Sequence, residues 1–326
     1  MAQSIQNNPG SNHGNKFEQL GTTLPTPNAY RTASGAPGED YWQQQVDYDI
    51  KCELDEKNLV LKGQEMITYH NNSPDALSYL WLQLDENQHS TVNNANYQDR
   101  SSMPRSASDQ MLDAADYRKT DNGYGFILEK VTDSAGKPLK YVVNKTMMKI
   151  DLPEPLAPGK KYVFNIKWHY KIVDRMDNYK FQDARGGYEY FEEDGNYIFT
   201  MAQFYPRLCM YNDVLGWQNH QFTGRGEFTV CFGDFKVEMT VPADHIVGGT
   251  GVCKNYSKVL SKTQMSRYKQ AESATEPLVI KTLDEVKAGE NTKATAKKTW
   301  VFEAKNVRDF AWTSSRRLVW EAMPVP

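Results

Sequence analysis

Six histidines, four cysteines and a cluster of four acidic residues are the side chains of this sequence best suited to chemistry, and their spacing decides what they can do. A zinc site carried on one helix needs two imidazoles one turn apart, with a Glu between them as general base. His13, His70, His89, His169, His220 and His245 include no such pair, and no H-E-x-x-H motif occurs. A zinc site assembled from distant strands stays open on these grounds. Nucleophilic chemistry is no better served, because there is no G-x-S-x-G elbow and no cysteine sits in a recognisable activating context. Cys52, Cys209, Cys231 and Cys253 contain no C-x-x-C, and three of them fall in strand-like apolar runs, which suits small buried hydrophobes better than a metal or disulfide framework. Glu189, Glu192, Glu193 and Asp194 offer carboxylates for glycoside hydrolysis or calcium. They also lead into Asp194-Gly195, a dipeptide suited to the positive φ of a tight turn, and a hairpin is the simpler explanation. The glycine-rich stretch Val247 to Val252 follows a strand pattern, yet no helix pattern comes close behind it to bind a phosphate.

The elements that would position these residues read mostly as strands. Val46, Tyr48, Ile50, Cys52 and Leu54 alternate with polar residues at the period of a half-buried strand, and a turn at Asp55 to Asn58 returns the chain through Leu61 to His70. Leu77 to Leu84 forms a further strand. From Asp85 to Asn122 the apolar pattern dissolves, which predicts a surface excursion with one short helix over Ser108 to Tyr117. Strand patterns resume at Tyr124 to Val131, Lys140 to Val143, Thr146 to Leu152 and Lys161 to Tyr170, followed by a hairpin over Tyr188 to Thr200. Gly226 to Val241 alternates again, with a turn or bulge at Gly233-Asp234. Ser257 to Ala274 carries helix formers, Lys287 to Lys298 is polar, and a last strand holds Trp300 and Phe302. So many closely spaced strands predict an all-β fold, a large antiparallel multi-sheet domain of saddle-like or β-sandwich type with short helices in its loops. Residues 1–40, rich in Asn, Gly, Pro, Ser and Thr, read as a flexible tail, and 41–326 as the domain.

Composition narrows the partners. A chain of 326 residues with a net charge of -3 buries a sizeable core and presents no basic field for nucleic acid. Its longest apolar runs are too short for a membrane-spanning helix, and MAQSIQNNPG lacks the regions of a signal peptide. Ala2 and Gln3 look like residues left after signal cleavage, so export to a periplasm or the exterior is the expectation, with the cytoplasm as the alternative. The sequons at Asn71, Asn144 and Asn255 matter only in a eukaryotic secretory pathway. The high aromatic content suits strand cores and a glycan-binding platform equally well.

Four anchors in order resemble the amino-terminal β-domain of aminopeptidase N-like zinc metallopeptidases, the gluzincins. They are the opening from Tyr41 to Asn87 with its Tyr69-His70-Asn71-Asn72 phrase, the segment Met201 to Trp217, the strands of Gly226 to Gly251, and Asn306-Val307-Arg308-Asp309-Phe310-Ala311-Trp312. The resemblance implies a non-catalytic front domain whose main partner is the catalytic domain of its own full-length chain, with zinc held there and no cofactor in this chain. It also implies that a Gln of the β-domain helps bind the amino end of a peptide substrate. Gln203, in Thr200-Met201-Ala202-Gln203-Phe204-Tyr205-Pro206-Arg207, matches that position best, although the spacing to Arg207 is shorter than in many members. Arg207 and Asp213 are expected to hold the loop in shape. The alternative is a free-standing β-sandwich binding module for a glycan or protein. An uncovered apolar patch at Trp312 and Trp320 would favour the first, and a groove lined by exposed aromatics the second.

Overall fold

A computed structural model of the chain describes residues 27–93, 106–117, 120–177, 184–224 and 229–325. Its fold is all-β. The largest sheet comprises β1 (Gln45–Asp55), β2 (Val60–His70), β4 (Ile127–Asp133), β7 (Lys161–Lys171), β13 (Gly233–Pro242), β15 (Val252–Cys253) and β17 (Lys297–Val307), in the order β15-β17-β13-β1-β2-β7-β4. A second sheet has the order β10-β3-β6-β5, built from β3 (Leu77–Gln83), β5 (Tyr141–Asn144), β6 (Met147–Leu156) and β10 (Arg207–Leu208). A third, β14-β18-β9-β8, holds β8 (Gly187–Phe191), β9 (Asn196–Met201), β14 (Ile246–Gly249) and β18 (Trp312–Ser315). Two small ladders pair β11 (Tyr211–Asn212) with β12 (Gly216–Trp217), and β16 (Leu278–Lys281) with β19 (Trp320–Ala322). The helices α1 (Asp109–Tyr117), α2 (Tyr256–Val259), α3 (Lys262–Ala271) and α4 (Leu283–Gly289) are short. None is long and apolar enough to cross a membrane. Most of the segment expected to be a tail lies outside the described residues. Arg31, near its end, is tied to the domain by two hydrogen bonds to Asp213, at 2.7 and 2.9 Å.

The period-2 pattern explains the core. Val46, Tyr48, Ile50, Cys52 and Leu54 point inward from β1 while their neighbours face solvent, and the same alternation runs through β2, β7 and β13. Trp168 packs so closely on β2 that a Cβ at Gly63 would meet its ring at 2.2 Å, so only glycine fits there. Contacts from Trp168 to Phe204, 6.5 Å between ring centres, and from the Tyr170 hydroxyl to the Met201 sulfur at 3.9 Å join the large sheet to the third.

Several sequence expectations are met, and some are corrected. The Asp55 turn, the Ser108–Tyr117 helix, the Tyr188–Thr200 hairpin and the bulge at Gly233 are all present. Within the largest sheet one pair, β1 with β13, runs parallel, with Tyr48 opposite Phe235. The surface excursion begins later than expected, because Asp85 to Thr91 is buried throughout. Asn87 offsets the cost of burial by bonding internally: it donates to the Lys145 carbonyl and accepts from the Phe126 amide, at 2.7 and 2.8 Å. Helix α4 begins where the sequence reading assigns no element and runs into the start of the polar stretch Lys287 to Lys298. Its signal was the capping box of Thr282 and Glu285. All four cysteines are buried and free. Of the sequon residues, Asn144 is exposed, whereas Asn71 is fully buried, its amide donating to the Asp75 and Leu156 carbonyls at 2.7 and 2.9 Å.

Glu65 breaks the alternation rule. It points into the core from β2, opposite Ile50 and Ile166, with both carboxylate oxygens buried and no hydrogen-bond partner among the described residues. Burial raises its pKa well above 4.5, so the folded protein holds it neutral while the unfolded chain ionises it. The unfolded state then binds fewer protons, and stability falls as pH rises from 4.5 towards the folded pKa, at up to about 1.4 kcal/mol per pH unit. We expect Glu65→Gln to remove this dependence, so that its stability relative to wild type, measured by urea denaturation, improves steadily between pH 5 and pH 8. A constant difference across that range would refute the assignment.

Candidate functional site

The link between β9 and β10 is only five residues long and almost entirely anchored. Phe204, Tyr205 and Pro206 are buried, with Phe204 set edge-on against Trp312 at 6.0 Å and Tyr205 against Tyr48 at 5.2 Å. The Tyr205 hydroxyl donates to Asp309 at 2.8 Å. Across from the link, the chain at Gly186 passes so near that a Cβ would come within 3.0 to 3.1 Å of backbone atoms of Thr200 and Ala202, and this approach brings Arg185 to the same place.

Gln203 sits in this fixed link with φ at 57°, the left-handed region that costs a side-chain-bearing residue about 1 kcal/mol. Its amide oxygen is buried without a hydrogen-bond partner among the described residues. Gln203 lines a cavity of 380 Å³ together with Arg185, Ala202, Arg207, Val230, Arg308 and Asp309. A half-turn of the amide exchanges oxygen for nitrogen with almost no change in shape, so this side chain can offer the cavity either a donor or an acceptor.

Arg207 holds the site together. Its guanidinium donates to Asp85 at 2.9 Å, to Asp309 at 2.6 Å and to the Gln83 side-chain oxygen at 3.3 Å. Burial alone would lower its pKa, but the two carboxylates outweigh that and hold it above the usual arginine value. Asp309 is fully engaged as well, accepting from Arg207, Tyr205 and the Phe310 amide at 2.6, 2.8 and 2.8 Å. Arg207 therefore shapes the loop, as expected. Asp213 does so by receiving Arg31, a partner that sequence reasoning did not assign. Arg308 and Arg185 were not singled out from sequence either. Nothing in their spacing marks them, because they reach the cavity from segments far apart in sequence, one just before β8 and the other just after β17.

A second constellation has the order of a hydrolase triad without its access. The Ser314 hydroxyl lies 2.9 Å from His245 Nδ1, and His245 Nε2 lies 3.4 Å from Glu56. Ser314 and His245 are wholly buried, so no substrate reaches them. Arg316 grips Glu56 through both terminal nitrogens, at 2.6 and 2.7 Å, and Asp244 through Nε at 3.0 Å. Burial would raise the Glu56 carboxyl, but His245 and Arg316 bring it down to about 2, while burial lowers His245. This is a structural ion cluster. The acidic residues of the β8–β9 hairpin behave likewise. Asp194 accepts from Arg317 at 2.9 Å and from the Asn196 amide at 3.0 Å, and Glu189 faces Arg175 at 3.5 Å. Among the described residues no group of three or more His, Cys, Asp or Glu is placed to hold a metal ion.

The surface expectations divide. Trp312 is buried, and Trp320 is half-buried against Tyr256 and Tyr268 at 5.5 and 5.7 Å, so the uncovered patch expected at these tryptophans is not found there. Exposed apolar side chains do occur nearby, at Val279, Leu283, Val319 and Met323. Among the described residues no aromatic side chain lines the Gln203 cavity or the groove of 420 Å³ on the outer face of the large sheet.

The chain is thus an all-β, multi-sheet domain with a cation-rich cavity around one strained glutamine. No protein-family model and no curated protein matches it. Among solved structures it is similar to an M1 zinc metallopeptidase from Deinococcus radiodurans, with a TM-score of 0.43 and 13% identity over 84% of this chain and 42% of that one. A variant of that enzyme bound to a Tyr-Ser-Ala substrate gives the same score and identity, over 86% and 44%. A two-domain M1 zinc metallopeptidase variant bound to L-arginine gives 0.42 and 13%, over 84% and 42%. The chain spans less than half the length of each of these structures.

Two stability outcomes test the site's construction. Arg207→Ala leaves Asp85 buried and uncompensated, and should cost about 3–5 kcal/mol in denaturant unfolding. Gln203→Gly relieves the left-handed backbone, and should leave the domain as stable as wild type or more stable by up to about 1 kcal/mol. A clear loss in the glycine variant would mean that the glutamine side chain, rather than its surroundings, holds the link.

Proposed function

We propose that this chain is the non-catalytic β-domain of a zinc aminopeptidase, in which Gln203 binds the amino end of a peptide while a separate catalytic domain supplies zinc-activated water. The observation that carries this is Gln203 itself, with a left-handed backbone and a buried amide oxygen that has no partner among the described residues, at a cavity. A left-handed, side-chain-bearing residue with an unmet buried acceptor is a standing cost, and the surrounding aromatic packing maintains it. A substrate ammonium supplies the donor that the amide oxygen lacks. The four ordered sequence anchors support the same reading. The chain's partners are then the catalytic domain of its own full-length protein and a peptide substrate. Its contribution is to position one end of that peptide, which favours cleavage next to the amino terminus.

The test uses the native full-length protein that contains this sequence, assayed on aminoacyl-arylamides. Activity should require zinc, vanish with chelator and be absent from the 326-residue chain alone. Gln203→Ala should lower kcat/KM by about 10- to 100-fold, corresponding to the loss of one charge-assisted hydrogen bond. Unchanged kcat/KM in that variant, or activity indifferent to chelator, overturns the proposal.

A further inference from the structure

We infer that the Gln203 cavity selects peptides whose first residue carries a carboxylate side chain, Glu or Asp, with Arg308 as the receptor for that carboxylate. This rests on Gln203 as the anchor of the peptide's amino end and goes beyond it in naming the substrate class.

The charge pattern carries the inference. Among the described residues the cavity is lined by the guanidinium groups of Arg185, Arg207 and Arg308 and by the carboxylate of Asp309. Arg207 is fully balanced by Asp85 and Asp309, and Asp309 has its oxygens engaged by Arg207, Tyr205 and the Phe310 amide. The two are thus already paired with each other. Arg308 differs, because among the described residues no carboxylate lies within ion-pair distance of it. Instead its guanidinium rests over the Phe232 ring at 4.7 Å. Stacking of this kind fixes the plane of the guanidinium and leaves its N–H edge open, the geometry that meets a carboxylate through two parallel hydrogen bonds.

An uncompensated cation beside an ammonium-binding amide creates a conflict for most peptides. A free amino terminus brought to Gln203 is repelled by Arg308, and a neutral or basic first side chain does nothing to offset that. A Glu or Asp side chain resolves the conflict by neutralising Arg308 while the ammonium reaches the amide. The volume of 380 Å³ falls within the range of small-ligand pockets, about 300–1,000 Å³.

Isothermal titration of the 326-residue chain with Glu-Ala-Ala, Gln-Ala-Ala and acetyl-Glu-Ala-Ala tests this without a catalytic domain. Glu-Ala-Ala should bind about tenfold more tightly than Gln-Ala-Ala at low ionic strength, with the gap closing as salt is raised. Arg308→Gln should erase the gap, and Arg308→Lys should restore part of it. Arg308 is exposed, so thermal unfolding of both variants should match wild type. Equal binding of the Glu and Gln peptides, no binding of either, or a gap that survives Arg308→Gln overturns the inference. The acetylated peptide separates this from the reading of Gln203. If acetylation leaves Glu-Ala-Ala binding intact, the carboxylate receptor stands and the amino-end anchor falls. If acetylation weakens binding but Glu and Gln peptides are equal, the anchor stands and the carboxylate receptor falls.

Discussion

The ion triad in which buried Arg207 and Asp85 meet the part-exposed Asp309 is the constraint on which the site depends. Asp85 begins the turn after β3, Arg207 opens β10 and Asp309 lies between β17 and β18, so one guanidinium joins three segments distant in sequence. Such a pair costs desolvation on both sides, and its net contribution to stability is modest when intact. Its effect is geometric. With Asp309 held, the Tyr205 hydroxyl has a fixed acceptor, and with Tyr205 held, the link that carries Gln203 has no freedom to relax its backbone. The neighbouring Arg308 is carried to the cavity by the same turn of chain.

Strand existence was legible in the sequence because β1, β2, β7 and β13 each bury one face, and a period of two is hard to mistake over ten or eleven residues. Pairing was less legible. The parallel contact of β1 with β13 joins residues 187 positions apart, as between Asp47 and Asp234, and no local pattern encodes it. The buried turn from Asp85 to Thr91 failed for a different reason. Polarity there does not mean exposure, because side chains such as Asn87 find hydrogen-bond partners inside, a property of the fold that composition does not reveal. β6 also runs on to Leu156 through Pro153 and Pro155, past the point where the prolines argued for an end. The irregular register between Leu77 and Tyr79 on the partner strand accommodates them.

The candidate site was half legible. Gln203 came from a resemblance in its neighbourhood, and the structure places it at a cavity in a conformation that sequence alone could not have anticipated. Arg207 was assigned to shaping the loop, which its partners bear out, but those partners were invisible because Asp85 and Asp309 lie more than a hundred residues away. Arg308 had no signal beyond being one arginine among many. Its role depends on what does not surround it, and a deficit of counter-charge is a three-dimensional property.

Glu65 and Gln203 are two departures from a well-satisfied interior, and they differ in kind. The Glu65 carboxyl is sealed in the core between Ile50 and Ile166, where nothing outside can reach it, so its cost is a matter of stability and pH. Gln203 is strained in its backbone, unmet at its amide oxygen and placed beside an unbalanced cation, all at the edge of one cavity. The last two of those deficits are met by one kind of ligand, with a donor for the amide and an anion for the guanidinium. Deficits that one molecule could satisfy together are better explained by a binding site than by independent accidents of packing.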